Sequence, residues 1–314
     1  MGNLLQGQVA IVTGAGRGMG RTHALALAAE GAKIVVNDLG GSVLGAGDDA
    51  SPADDVVKEI VAAGGEAVAN YGNVTSVADG EGMVQQALDA FGRLDIVVNN
   101  AGNIRNQLFV KMSEEEWDSV IAVHLKGLFA VTKQAADIFR KQGSGRIVNT
   151  ASEAGLGGYA ASNYAAAKEG IVGFSRTLAL ELGPYNVTTN AIRPRAGTRM
   201  AGAVDMKKAI AMAKAGKLPL PEFMFEIEEM TEDSEVFAPE QVSQLVVFLC
   251  TDAASHINGR DFIVGGGEIT LVSLPAKERS IFSDTRWTQE QLQDLMPKTL
   301  AKGLKNPAAP RTAG

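Results

Sequence analysis

One stretch near the start of the chain reads Val9-Ala10-Ile11-Val12-Thr13-Gly14-Ala15-Gly16-Arg17-Gly18-Met19-Gly20. Its first five residues are mostly apolar and β-branched and predict a fully buried strand, and the Ala/Leu-rich residues 21–30 predict a helix. Glycines between a strand and a helix let the backbone turn tightly and approach a pyrophosphate, and the helix N-terminus offers unpaired N–H groups. The stretch therefore predicts a dinucleotide-binding turn, with a glycine-rich turn that has no ligand as the alternative.

Further short, β-branched stretches alternate with helical patterns along the rest of the chain. The predicted strands are residues 33–38, 95–99, 146–150, 187–192 and 262–264. Continuous apolar strands separated by helices indicate a parallel sheet that is covered on both faces, and right-handed crossovers make it doubly wound. We therefore predict the α/β class, with a doubly wound parallel sheet (Rossmann fold) in a three-layer sandwich and a single domain.

Two segments depart from this alternation. An amphipathic helix, with Ala203 and Ile210 on the same face, opens a segment that we expect to form a substrate lid at about residues 198–235. Residues 1–272 are predicted to form the dinucleotide-binding and catalytic domain that carries this lid. Residues 273–314 are predicted to form a C-terminal extension whose last, Pro/Ala/Gly-rich residues are disordered.

The composition of the 314 residues excludes several classes of function. A net charge of −7 argues against a nucleic-acid binder, because phosphate contacts need a basic face. The one cysteine, Cys250, excludes a disulfide within the chain and a metal site built from cysteines, and we predict no metal. Residues 1–7 lack a secretory signal, and no stretch approaches the roughly 18 apolar residues of a membrane span. A cytoplasmic location without membrane insertion is the expectation.

An acidic residue, Asp38, stands at the end of the second predicted strand. A carboxylate at this position accepts hydrogen bonds from the adenosine ribose and repels a 2′-phosphate, so it favours NAD over NADP. Arg17 in the glycine turn has the opposite effect if it meets a 2′-phosphate; a solvated side chain or a pyrophosphate contact is its alternative role. Because Asp38 lies at the ribose itself, NAD is the predicted cofactor and NADP the less favoured one.

Tyr164 and Lys168 lie four residues apart in a predicted helix, which places both side chains on one face. A tyrosine hydroxyl has an ordinary pKa of about 10, and a nearby lysine ammonium favours the phenolate and so assists proton transfer. By spacing alone, such a pair is more often a solvated helix face. Ser152 changes this interpretation, because it ends a predicted strand shortly before the tyrosine and its hydroxyl can stabilise a developing alkoxide.

These motifs occur in an order that is typical of one family. Over about residues 7–267 the chain resembles the short-chain dehydrogenase/reductases. The resemblance is carried by the segments Thr13–Gly20 and Asn99–Gly102 and by Ser152, Tyr164 and Lys168. It implies a Ser-Tyr-Lys centre that interconverts alcohols and carbonyl compounds with NAD(P). It also implies a small-molecule alcohol or ketone as the substrate and a homodimer or homotetramer as the assembly.

The glycine turn, Asp38 and this resemblance together define a predicted cofactor site. The resemblance implies Asn73 and Val74 beside the adenine, Asn100 along the cofactor, and Ile192 and Thr198 near the nicotinamide. The predicted cofactor-binding set is Gly14, Gly16, Arg17, Gly18, Met19, Gly20, Asp38, Asn73, Val74, Asn100, Ala101, Gly102, Tyr164, Lys168 and Thr198. The predicted catalytic set is Ser152, Tyr164, Lys168 and His124.

A narrower resemblance concerns the segments Val35–Gly41, Val123–Gly127 and Ala196–Met200. They are similar to segments of the (3R)-hydroxyacyl-CoA dehydrogenase unit of multifunctional enzyme type 2 and of similar bacterial stand-alone dehydrogenases. The implied reaction is oxidation of a 3-hydroxyacyl-CoA to a 3-ketoacyl-CoA in the breakdown of fatty acids or sterol side chains. A hydroxysteroid dehydrogenase, a 3-ketoacyl-carrier-protein reductase and an inactive NAD-binding scaffold or sensor are the alternatives.

Three features depart from the family's pattern. His124 stands where most of the wider family has asparagine, so we interpret it as a structural or relay substitute, with a satisfied core histidine as the alternative. The spacing between Ser152 and Tyr164 is one residue shorter than usual, so the serine assignment is weaker than that of the tyrosine. The segment 203–235 is longer than its counterpart in the multifunctional enzyme, so the substrate is the least constrained prediction.

Overall fold

The computed structural model of the chain describes residues 2–42, 49–198, 206–216, 218–221, 223–226, 230–231 and 233–304. Eight strands form one sheet in these ranges. They are β1 (Val9–Thr13), β2 (Lys33–Asn37), β3 (Ala67–Asn70), β4 (Ile96–Asn99), β5 (Gly145–Thr150), β6 (Val187–Pro194), β7 (Asp261–Gly265) and β8 (Glu268–Leu271).

Helices connect the strands and cover both faces of the sheet, and a last, largely exposed helix follows β8. They are α1 (Gly18–Ala29), α2 (Ser51–Ala62), α3 (Val77–Phe91), α4 (Glu114–Ile121), α5 (Gly127–Gln142), α6 (Ser162–Leu182), α7 (Met206–Lys214), α8 (Phe223–Glu226), α9 (Pro239–Cys250) and α10 (Gln289–Lys298). A π-helical turn, Ala122–Lys126, joins α4 to α5. This wider turn carries His124, one of the predicted catalytic residues.

The strand order is β3-β2-β1-β4-β5-β6-β7-β8. All neighbouring strands pair in parallel except β7 and β8, which are antiparallel. The order reverses between β1 and β4, because the chain first proceeds outward to β2 and β3 and then returns to the centre. In doubly wound sheets a crevice opens at the carboxyl ends of the two strands where this reversal occurs.

Successive side chains of the central strands point to opposite faces of the sheet. Ala10 and Val12 of β1 pack with α1, α2 and α9 on one face, whereas Val9 and Ile11 pack with α3 and α5 on the other. All four side chains are fully buried, and burial of a Val or Ile side chain contributes about 1.5–3 kcal/mol. The resulting helix–sheet–helix layers confirm the predicted fold class.

Two strands differ from the sequence prediction. β3 and β8 were not predicted, because Ala67–Asn70 contains a single β-branched residue and Glu268–Leu271 is a short edge strand with mostly exposed side chains. The predicted amphipathic helix is described over Met206–Lys214 (α7), and Ala203, at which its prediction began, lies outside the described residues. The predicted disordered end beyond residue 304 and parts of the predicted lid also lie outside them.

Candidate active site

A cleft of about 370 Å³ opens where the strand order reverses. Its walls are formed by the turn after β1, the residues after β2, β3 and β4, and the end of α4. The lining residues are Gly14, Arg17, Gly18, Met19, Gly20, Asn37, Asp38, Leu39, Gly41, Ser42, Gly72, Asn73, Val74, Thr75, Asn100, Ala101, Gly102, Asn103, Ser119, Ala122, Val123 and Thr198. Most members of the predicted cofactor set therefore border one cavity.

The glycines of the turn after β1 have different physical roles. A Cβ atom on Gly14, whose φ is +61°, would lie 2.8 Å from the Cα atom of Ala101. A Cβ atom on Gly16 would lie 2.6 Å from the Pro52 side chain, and Gly16 does not border the cleft. These two glycines allow the turn to pack closely against Ala101 and Pro52.

Gly18 is the glycine of the turn that faces open space. Its φ is +53°, a backbone conformation that favours glycine, and a Cβ atom added here would meet only the Thr198 side chain at 3.8 Å. Gly18 also begins α1, and no side chain caps the N-terminus of this helix. The first N–H groups of α1 are therefore not satisfied by a capping side chain, and such groups bind phosphate oxygens well. This turn fits the pyrophosphate of a dinucleotide.

Asp38 follows β2 and ties the glycine turn to its neighbour strand. One carboxylate oxygen accepts a hydrogen bond from Gly16 N at 2.8 Å, and the other accepts one from Gly40 N at 2.7 Å. Each oxygen has a further lone pair for a ribose hydroxyl. Arg17, by contrast, is exposed and pairs loosely with Asp49 at 3.6 Å. The Asp38 carboxylate is thus fixed by two hydrogen bonds, whereas the Arg17 guanidinium has only a loose ion pair.

Ser152, Tyr164 and Lys168 meet beside this cleft although they come from two elements. Ser152 lies two residues beyond β5, and its Oγ accepts a hydrogen bond from Ala154 N at 3.2 Å. Tyr164 and Lys168 lie one turn apart on α6, as their spacing predicts. The Nζ atom of Lys168 donates a hydrogen bond to Thr150 O at 2.6 Å and lies 5.4 Å from the centre of the Tyr164 ring.

Burial determines the protonation of the pair on α6. Removal from water raises the pKa of Tyr164 to about 12, and a hydrogen bond with the Ser152 side chain opposes this increase. Burial also lowers the pKa of Lys168 to about 7. In the free chain, burial thus outweighs the expected lowering of the tyrosine pKa by an adjacent lysine ammonium, because removal from water disfavours both charged forms. A further positive charge beside the phenol is needed to favour the phenolate.

His124 is a buried, neutral contact of Tyr164. Its Nε2 atom lies 2.8 Å from Asn103 O and 3.3 Å from Asn103 N; the shorter contact is to a carbonyl oxygen, which can only accept, and it favours the tautomer in which Nε2 donates the hydrogen bond. The ring stands edge-on to the Tyr164 ring, with 5.2 Å between the centroids. Burial, and next the charge of Lys168, lower the pKa of His124 well below its ordinary value. The geometry supports a positioning role better than transfer of a proton by the imidazole.

Several predicted residues do not border the cleft. Tyr164 and Lys168 lie beside it rather than in its wall, and Ile192 is fully buried within β6. Asn37 and Asn103 were not predicted but line the cleft. Both follow or end strands at the carboxyl edge, and this position is the signal that could have identified them.

Two arginines were also not predicted: one lies in β6 and the other directly follows this strand. Arg193 is fully buried and donates a hydrogen bond to Ser152 O at 2.6 Å. Arg195 donates two hydrogen bonds to the Glu153 carboxylate, at 2.7 and 2.8 Å. Arginines at alternate positions of a strand that is otherwise buried are unusual, because burial of a charge is costly unless it is paired. This spacing of two arginines in a buried part of the chain is the sequence signal that could have identified them.

The described residues contain no group of three His, Cys, Asp or Glu side chains that could hold a metal ion. Within the same ranges, no helix has the length and apolar character needed to cross a membrane.

Most of the chain is similar to known proteins. Residues 8–208 match the family described as short chain dehydrogenase. The chain is 45% identical over 264 residues to peroxisomal multifunctional enzyme type 2 of Mus musculus, a match that covers 84% of this chain and 32% of that protein. It is 42% identical over 302 residues to hydroxyacyl-CoA dehydrogenase ChsB1 of Mycobacterium tuberculosis, with 92% of this chain and 87% of that protein covered.

A solved structure agrees with these relatives. The crystal structure of a short chain dehydrogenase from Mycobacterium avium matches with a TM-score of 0.80 and 42% identity, and the match covers 96% of this chain and 98% of that one. The chain spans about a third of the length of the mouse relative, and most of the length of the two mycobacterial ones. The predicted resemblance, the enzyme class and a nicotinamide cofactor are confirmed. The chain belongs to the short-chain dehydrogenase family.

Proposed function

We propose that the chain is an NAD-dependent oxidoreductase that interconverts a secondary alcohol and a ketone, with Tyr164 as the group that gives and takes the proton. One observation carries the proposal: Tyr164 packs against the ammonium group of Lys168, whose Nζ atom lies 5.4 Å from the ring centre and is fixed by Thr150 O at 2.6 Å. Ser152 and Tyr164 are partly exposed as whole residues, whereas Lys168 is buried.

NAD is favoured over NADP because Asp38 is a fixed negative charge in the wall of the cleft. A 2′-phosphate near this carboxylate is repelled, whereas ribose hydroxyls can donate hydrogen bonds to it. Arg17 is the nearest cation of the turn, but it is exposed and pairs with Asp49. Its attraction for a phosphate is therefore screened by solvent and by that carboxylate.

The residues that hold the dinucleotide would be the first turn of α1 for the pyrophosphate, Asp38 for the ribose, and Lys168 for the nicotinamide ribose. When bound, the oxidised nicotinamide ring supplies the hydride acceptor and a positive charge beside the phenol. Tyr164 is protonated at neutral pH in the free chain, because burial raises its pKa to about 12. It can therefore donate its proton to the oxygen of a ketone during reduction and accept it back during oxidation.

Ser152 polarises the substrate oxygen. The lone pairs of its hydroxyl already accept a hydrogen bond from Ala154 N at 3.2 Å. The hydroxyl proton is then available for donation, and the developing alkoxide is the strongest acceptor in reach. Lys168 holds the carbonyl of Thr150 and keeps its ammonium group close to the phenol ring. Ser152 thus polarises the substrate oxygen, Tyr164 transfers the proton, and Lys168 supplies charge in addition to holding the nicotinamide ribose.

For the substrate we propose a 3-hydroxyacyl-CoA, which is oxidised to the 3-ketoacyl-CoA. The support is the name of the mycobacterial relative, a hydroxyacyl-CoA dehydrogenase that matches over most of both chains. The narrower resemblance of the segments around Asp38 and His124 points in the same direction. The geometry of the Ser152–Tyr164–Lys168 group supports the reaction type and is independent of this choice of substrate.

Steady-state assays with NAD and three panels of substrates test the proposal. The panels are 3-hydroxyacyl-CoA esters, hydroxysteroids and simple secondary alcohols, each compared with NAD and NADP. We expect the highest kcat/KM with an acyl-CoA and NAD. Turnover of steroids alone would reassign the substrate, and absence of turnover in every panel, with NADH still bound, would favour the NAD-binding scaffold.

A further inference from the structure

A buried arginine, Arg193, holds the segment that carries Ser152 through a hydrogen bond. The Nη1 atom of Arg193, on β6, donates a hydrogen bond to the backbone oxygen of Ser152 at 2.6 Å. The same oxygen accepts a second hydrogen bond from Gly155 N at 3.1 Å. Arg193 is 1% exposed, so this bond is shielded from competing water. The serine is therefore held through its main chain as well as through the hydrogen bond that its hydroxyl accepts from Ala154 N.

The same guanidinium also reaches the helix that carries Tyr164. Its Nη2 atom donates to the Glu169 carboxylate at 2.8 Å, and Glu169 directly follows Lys168 on α6. Its Nε atom donates to the carboxylate of Asp261, at the start of β7, at 2.7 Å. A guanidinium is planar, with donors in a fixed fork. Arg193 thus links three elements through one rigid group.

Stability alone does not require a buried charge at this position. Well-packed apolar residues can often replace a buried ion pair without loss of stability, because desolvation of the charges offsets their attraction. What an apolar side chain cannot do is hold the Ser152 carbonyl and the Glu169 carboxylate in one fixed geometry. In an active site, a misplacement of about 1 Å is enough to lower the rate by about 10²-fold.

We propose that Arg193 is a positioning residue of the catalytic centre, because it fixes the Ser152 hydroxyl relative to the Tyr164 hydroxyl. It does so by bonding the carbonyl of the serine and the carboxylate next to Lys168. The inference rests on the proposed function, in which both hydroxyls contact the substrate oxygen. Arg193 itself touches neither substrate nor cofactor.

The next residue of the serine segment has an anchor of its own. Arg195 holds the Glu153 carboxylate through two hydrogen bonds. Loss of the Arg193 fork should therefore displace Ser152 without unfolding the segment. This separation makes the positioning role testable in a folded protein.

The test replaces Arg193 by lysine, which keeps the positive charge but cannot bridge three acceptors in a fixed plane. The matched control is Arg146→Lys, near the start of β5, whereas Ser152 follows the end of that strand. Arg146 is also buried and also donates to backbone carbonyls (Gly145 and Asn186) and to a carboxylate, but it lies far from Ser152 along the strand. Thermal stability, NADH affinity, KM and kcat per NADH-binding site are measured for both variants.

We expect R193K to lower kcat by about tenfold or more with NADH affinity unchanged, and R146K to leave kcat unchanged even if its Tm falls equally. We also expect faster hydrogen exchange at the amides of Ala154 and Gly155 in R193K, a readout independent of turnover. If kcat per NADH-binding site and these exchange rates equal those of the wild type, Arg193 has only a structural role.

A second variant covers the case in which R193K does not fold. Glu169→Ala removes the contact between the guanidinium and α6 at a half-exposed side chain, so a folded protein is expected. It should lower kcat in the same sense and to a smaller extent, and an unchanged kcat overturns the bridging role. Tyr164→Phe is assayed in parallel. If that variant is fully active, the proposed function and this inference both fail; if it is inactive while R193K and E169A are normal, only the inference fails.

Discussion

The ammonium group of Lys168 lies against the ring of Tyr164, with 5.4 Å between the Nζ atom and the ring centre. The two side chains are one turn apart on α6, and the backbone oxygen of Thr150 fixes the lysine from the other side. Burial acts on both groups in the direction that disfavours charge: it lowers the pKa of Lys168 to about 7 and raises that of Tyr164 to about 12. Burial therefore sets the protonation of both side chains in the free chain, and a charge added beside them would change it.

The depressed pKa of Lys168 predicts how the stability of the chain depends on pH. The pKa of Lys168 is about 7 in the folded chain and 10.5 in an ordinary lysine. Between these two values the unfolded chain binds a proton at this lysine that the folded chain does not bind. The lysine therefore makes no difference above about pH 10.5, and it destabilises the fold increasingly as the pH falls to about 7. The stability of Lys168→Met relative to the wild type should therefore increase as the pH falls from about 10.5 to about 7. Denaturant midpoints measured at several pH values would show this. A constant difference between the two proteins would show that the lysine titrates normally.

Asp38 predicts the preference for NAD. Asp38→Asn keeps an oxygen acceptor but removes the charge that repels a 2′-phosphate. The ratio of kcat/KM for NAD to that for NADP should fall by about tenfold or more, since repulsion between like charges costs several kcal/mol. Asp55→Asn, at an exposed residue of α2 that pairs with Lys58, is the control and should leave the ratio unchanged. Equal ratios in wild type and Asp38→Asn would contradict the role of this carboxylate.

His124 is expected to stay neutral during turnover, because burial keeps its pKa well below the ordinary 6.5. His124→Asn should therefore leave the shape of the pH profile of kcat/KM unchanged between about pH 6 and 8. His124→Leu removes the hydrogen bond to Asn103 O and should lower the free energy of unfolding by about 1–3 kcal/mol. An ionisation near pH 6.5 that disappears in His124→Asn would instead make the imidazole a proton carrier.

The same histidine predicts a loss of stability in acid. Its folded pKa is depressed, so its contribution is present above its ordinary pKa and is lost as the pH falls below it. His124→Asn should lose less stability than the wild type between about pH 6.5 and 5 in urea unfolding. Parallel losses in the two proteins would assign the acid sensitivity to other groups.

Local spacing predicted the parts of the site that neighbouring residues create. Tyr164 and Lys168 are placed by one helix, and the turn after β1 is placed by the strand and helix that flank it. The sheet was predictable for the same reason, since its central strands are continuous apolar stretches. β3 escaped prediction because its short, alanine-rich sequence becomes a strand only through pairing with β2.

Contacts between distant parts of the chain could not be predicted. Arg193 bonds Glu169, Ser152 and Asp261, which lie 24, 41 and 68 residues away in sequence. The protonation of Tyr164 was also beyond the sequence, because burial is a property of the assembled fold. The presence of a nearby lysine predicted a lowered tyrosine pKa, whereas removal from water has the larger effect. The substrate lid at about residues 198–235 stays a prediction, and residues 199–205, 217, 222, 227–229 and 232 of that segment lie outside the described ones.

The central claim is that the Tyr164 hydroxyl transfers the proton, and Tyr164→Phe tests it most directly. The variant keeps the ring and its edge-on contact with His124, so the fold and the cleft should be preserved. The measurement is kcat/KM for alcohol oxidation with NAD, together with NADH affinity by fluorescence. We predict a loss of about 10²–10⁴-fold in kcat/KM with NADH affinity retained. Turnover equal to that of the wild type in this variant would contradict the account.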